Sequence, residues 1–206
     1  MARLRVLSVS AFLLSFSCLA QGQIDAPDSI LWFHPNQEVR VAGLPALTAP
    51  SSASAAVLAT ALETVRHDQA VCCGKRSALE DAVLSAPLSL KEAGARLQGR
   101  HLLSDGRPIV VRAEYVPQGS MSPGLILGAL LEQHALLLEW KSHVYVLYGA
   151  IFNETRYSSG ARQYAIVKLL LLDPRLSGER REIVFNRESD DWGEVQGLLT
   201  LTVARP

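Results

Sequence analysis

An α+β fold, with helices in the first half of the chain and antiparallel strands in the second, is predicted by the order of two apolar patterns. Before about residue 133 most apolar residues recur at helical spacing between recognisable caps. From 108 to 115, and again after 133, short runs rich in Val, Ile, Leu and Tyr are bounded by turn residues instead. Segregated helices and strands argue for α+β rather than alternating α/β. The 206 residues, 49% hydrophobic and 19% charged, suffice for one domain with a real core.

Residues 1–20 read as a signal peptide. Arg3 and Arg5 supply the positive start, residues 6–20 carry no charge, and Cys18-Leu19-Ala20 offers small residues before a cut after Ala20. The apolar run is shorter than the roughly 20 residues of a membrane span, so no span is expected in the mature chain. A lipoprotein with Cys18 acylated is the alternative. Exported, periplasmic or secreted, the protein would then keep only the adjacent Cys72 and Cys73. A disulfide between neighbours is strained, so two thiols in an oxidising compartment call for a chemical reason.

Residues 21–55 contain Pro27, Pro35, Pro45 and Pro50 and read as an irregular arm and linker, leaving 56–206 as the folded domain. Val57, Leu58, Ala61, Leu62 and Val65 mark a first amphipathic helix. Ala78, Leu79, Ala82 and Val83 mark a second, opening at the cysteine pair and closed by Pro87. Ser89 and Glu92 form a capping box for a third, ended by Gly99. Ser122-Pro123 caps a fourth. Strands are expected over 108–115, 135–140, 143–152, 164–173, 183–186 and 197–203, with a tight turn at Lys141-Ser142 and a hairpin loop over 156–163.

Twenty Lys and Arg balance twenty Asp and Glu, which removes the positive field that nucleic-acid binding needs. His34, His67, His101 and His134 show no metal-ligand spacing, and no metal or cofactor is expected. Asn153-Glu154-Thr155 matches a glycosylation sequon, a weak three-residue motif, and the acidic Glu188, Asp190 and Asp191 before Trp192 read as a solvated turn.

The chemistry-bearing residues are thiols at a helix start. In Gln69-Ala-Val-Cys72-Cys73-Gly74-Lys75-Arg76 the helix N-terminus and two cations favour a thiolate, while a pair of buried small side chains is the plain alternative. Downstream, His143 opens the strand His143-Val-Tyr-Val-Leu-Tyr-Gly149, and Leu170-Leu-Leu-Asp173-Pro174 closes the next. In order and character these segments resemble the papain-like cysteine peptidases, above all compact bacterial members such as the bacteriocin-processing double-glycine peptidases.

The resemblance implies a papain-like fold, N-terminal helices packed on a C-terminal antiparallel sheet, and a thiol hydrolase acting on a peptide or protein. It implies Cys73, or else Cys72, as nucleophile, His143 as the proton carrier and Asp173 as the group orienting the imidazole. Gln69 would supply an oxyanion donor. Gln69 lies nearer the cysteines than the family's glutamine does. That spacing motivates a second reading, a non-catalytic binding or assembly module of the cell envelope.

Overall fold

The computed structural model describes residues 28–44, 89–102, 108–176, 179–185 and 192–204. Local signals place its two helices. Ser89 Oγ accepts from the Glu92 N–H at 3.2 Å while the Glu92 carboxylate accepts from the Ser89 N–H at 3.0 Å, and this reciprocal box opens α1 (Leu90–Leu97). Ser122 Oγ accepts from the Leu125 N–H, and Pro123 sits where no N–H is needed, opening α2 (Pro123–Leu131).

The strands are β1 (Ile30–Arg40), β2 (Gly99–Leu102), β3 (Pro108–Pro117), β4 (Leu136–Trp140), β5 (His143–Tyr157), β6 (Arg162–Asp173), β7 (Glu179–Val184) and β8 (Val195–Ala204). They form one sheet in the order β2-β3-β8-β4-β5-β6-β7, every neighbouring pair antiparallel. β1 pairs with β5 from Ile30–Tyr157 to Arg40–Gly149. Because β6 runs along one edge of β5 throughout, β4 and β1 share the other edge. β4 takes residues 143–147 and β1 takes 149–157. The handover falls at Gly149, where a Cβ would stand 2.8 Å from the Val39 carbonyl oxygen, so only glycine lets β1 come this close.

Leu199, Leu137 and Val146 lie side by side on β8, β4 and β5, and Leu198, Leu138 and Tyr145 form the adjacent row. Successive side chains on a strand point to opposite faces, and both rows are buried, so the centre of the sheet is covered on both sides. Gly94 of α1 sits on Leu199, while α2 packs against β1, β5 and β6. Among the described residues no helix is long and apolar enough to cross a membrane.

This architecture corrects the expected fold class. Strand makes up 61% of the described residues and the two helices are short, so the protein is a mostly antiparallel β-sheet rather than a papain-like α+β fold with N-terminal helices packed on a sheet. The reason lies partly in the prolines. Residues 30–40, read as irregular because of Pro35, form a strand that has only β5 as a partner among the described residues. The register shifts between His34 and Gln37, with Asn36 at φ 51°, absorb the proline. Proline is tolerated at a sheet edge or a bulge, where its missing N–H breaks no ladder. The helices expected between 56 and 88 lie outside the described residues.

Elsewhere most local patterns agree with the structure, although β2 falls in no expected strand and β7 begins four residues before the expected 183–186. Lys141 and Ser142 have φ of 51° and 59°, the primed geometry of a two-residue hairpin, and bring Trp140 opposite His143. The β5–β6 loop spans residues 158–161. Asp28 ties it to the start of β1 by accepting from Ser158 Oγ, Ser159 N and Ser159 Oγ at 2.6 to 2.9 Å.

Candidate functional site

Of the expected catalytic residues, Gln69, Cys72 and Cys73 lie outside the described residues, whereas His143 and Asp173 are described. His143 is exposed at the first position of β5, next to the turn. Asp173 ends β6, one position beyond the Val146–Leu172 pair, and its side chain has no solvent exposure.

A buried carboxylate needs compensation, and the chain supplies it locally. Pro174 turns the backbone into a short 3-10 segment, which folds Arg175 back onto its neighbour. Asp173 Oδ1 accepts from the Arg175 backbone N–H and from Arg175 Nε, both at 2.9 Å, and Oδ2 accepts from Nη2 at 2.6 Å. The same Nη2 donates to the Tyr145 hydroxyl at 3.0 Å, and the guanidinium lies 5.5 Å from the centre of the Tyr145 ring. Burial by itself would push the Asp173 pKa up. The hydrogen bonds and charge of Arg175 outweigh it and hold the carboxyl below its ordinary value. Burial raises the Tyr145 phenol.

Both Asp173 oxygens are therefore committed to Arg175, and no hydrogen bond joins Asp173 to His143 among the described residues. Sequence reading missed Arg175 altogether. Its signal was the Asp-Pro-Arg order, which sets a cation two residues beyond a carboxylate across a turn.

A second constellation lies on the outer part of β1, β5 and β6. The registers set Trp32, Arg156 and Arg162 in one cross-strand row, and His34, Glu154 and Tyr164 in the next. Period-two alternation puts both rows on one face, together with Phe152 and Ile166 farther in. Trp32 and His34 make an edge contact with ring centres 4.2 Å apart, and Phe152 and Tyr164 make another at 6.0 Å. Glu154 Oε1 approaches Arg162 Nη1 at 3.5 Å. Arg156 has no ion-pair partner among the described residues, and its buried Nε makes no hydrogen bond.

Ile166 also lines a mostly apolar, half-open cavity of about 230 Å³ together with Met121, Ser122, Pro123, Ile126, Phe185 and Trp192. Phe185 and Trp192 pack at 4.8 Å between ring centres. A third feature is Glu139 on β4, half-buried and without a side-chain hydrogen bond among the described residues; burial raises its pKa. Its charge in turn adds to the burial that raises the Tyr115 phenol. Among the described residues no group of three His, Cys, Asp or Glu side chains is placed to hold a metal ion.

Comparison with protein-family models, with curated proteins and with solved structures finds no significant match.

Proposed function

We propose that this chain is an exported, non-catalytic binding module. The observation that carries the reading is the commitment of Asp173 to Arg175. A triad carboxylate must accept the second N–H of its histidine, whereas every hydrogen bond of Asp173 among the described residues goes to Arg175 and none to His143. His143, at an exposed hairpin corner, has no described carboxylate to orient it. A sheet with an adjoining apolar cavity is, by contrast, a feature suited to binding. Export rests on the positively charged start and uncharged run of residues 1–20.

Thiol reactivity tests the reading against an exported thiol hydrolase using Cys73 or Cys72, Gln69, His143 and Asp173. The rate of alkylation at each cysteine is measured against pH in the native chain and in His143→Ala. A binding module shows ordinary thiols, with rates climbing through about pH 8.5 and unchanged by the substitution. Fast alkylation persisting below about pH 6, and lost in His143→Ala, would establish an activated ion pair and overturn the proposal.

A further inference from the structure

We infer that the face carrying Trp32, Arg156 and Arg162, together with the adjoining apolar cavity, binds a single-chain carboxylate amphiphile, its apolar end in the cavity and its carboxylate on Arg156. The inference rests on the binding-module reading and supplies its ligand class.

Arg156 and Arg162 stand directly opposite each other on β5 and β6, a pairing in which like charges repel. Glu154 Oε1 stands 3.5 Å from Arg162 Nη1, a charge contact without a hydrogen bond, since that oxygen is buried and has no hydrogen-bond partner among the described residues. Arg156 keeps a half-buried guanidinium whose Nε meets no acceptor. Arg156 has no ion-pair partner among the described residues, and a planar carboxylate matches a guanidinium at two points. Trp32, next in the row, gives that carboxylate an apolar flank.

Phe152 pairs with Ile166 of the cavity lining, and Arg156 is four residues farther along β5, on the same face. Four residues of strand span roughly 13 Å, the reach of an extended chain of about ten carbons. Between the two ends lie the Phe152 and Tyr164 rings, with the Glu154 carboxylate beside them in the Tyr164 row, so the chain would have to run along the rings. The cavity is too small for a folded drug-sized molecule and suits one end of a slim chain. The negative Glu154 beside Arg162 narrows the cationic ground to Arg156, which favours one carboxylate over a polyanion.

The test is calorimetric titration of the full secreted chain with decanoate below its micelle concentration, alongside decanol, decyltrimethylammonium and anionic phospholipid vesicles. The expected result is saturable one-to-one binding of decanoate, weaker binding of decanol, and none of the cation. Arg156→Gln should weaken decanoate about tenfold and leave decanol unchanged, the size of one lost charged hydrogen-bonding group. Ile126→Trp, which fills the cavity, should abolish both. Arg156→Lys serves if the glutamine variant fails to fold, and should retain attraction while losing the two-point fork.

Absence of saturable decanoate binding, equal affinity in Arg156→Gln, or binding to vesicles alone overturns the inference. These results leave the ordinary-thiol prediction standing, so failure here is distinct from failure of the binding-module reading.

Discussion

The Arg175 guanidinium is folded back onto the buried carboxylate of Asp173, two residues before it, through Nε and Nη2, and reaches the Tyr145 hydroxyl on β5 with the same Nη2. One side chain thus joins the end of β6 to the start of β5. Arg175→Ala would leave the Asp173 charge buried and unpaired, and is expected to cost about 3 kcal/mol in urea unfolding. Arg175→Lys keeps the charge without the planar fork and should recover only part of it.

The same pair sets an acid limit. The folded Asp173 pKa lies below its unfolded value of about 3.9, so its stabilisation is full above that value and lost as pH falls through the folded one. Asp173→Asn removes this dependence. Plotted between pH 5 and 2, unfolding free energy should fall more steeply in the native chain than in the variant, and parallel curves would contradict the assignment.

Glu139 behaves oppositely. Burial raises its folded pKa, so the folded state holds its proton longer than the unfolded chain does, and stability drops as pH rises from about 4 through the folded value. Glu139→Gln should therefore stabilise the protein at pH 7, by about 1 kcal/mol or less for a half-buried group. The gain should vanish near pH 3, as thermal melts at the two pH values would show.

Gly197 lies against the phenol end of Tyr115, and a Cβ at 197 would clash with the hydroxyl oxygen, Cζ and Cε2. Gly197→Ala must push the ring aside and with it the Tyr115 hydroxyl, which donates to the Gln196 carbonyl at 3.2 Å. A loss of about 2 kcal/mol is expected, the ordinary cost of overpacking. In a Tyr115→Ala background the same substitution should cost far less. That non-additivity is measurable by a double-mutant cycle.

Ser142 occupies a positive φ of 59° in the β4–β5 turn. Ser142→Gly relieves that strain but gives up the Gln196 Nε2 bond to Ser142 Oγ at 3.3 Å, an exposed contact of little weight. A net gain of about 0.5 kcal/mol in chemical denaturation is expected.

Much of the chain from Ser89 onward was legible because its signals are local. The Ser89–Glu92 box, the Ser122-Pro123 cap, the Lys141-Ser142 turn and the alternating runs each act within a few residues, and each marks an element where it was expected. The fold class was not legible. Pro35 read as a break because nothing near it in sequence reveals that residues 30–40 lie along β5, where an edge position and shifted register accommodate it.

The candidate sites divide in the same way. By itself the sequence determined the capped helices, the order of the later strands and the Asp173-Pro174 turn that carries Arg175, because backbone preference and nearest neighbours decide these. Only the tertiary structure decided that Asp173 is buried and that Arg175 reaches Tyr145, and that Trp32, Arg156 and Arg162 share one row leading to the Ile166 cavity. Cross-strand register joins residues far apart in the chain, and it is set by the burial of whole strand faces rather than by any short motif.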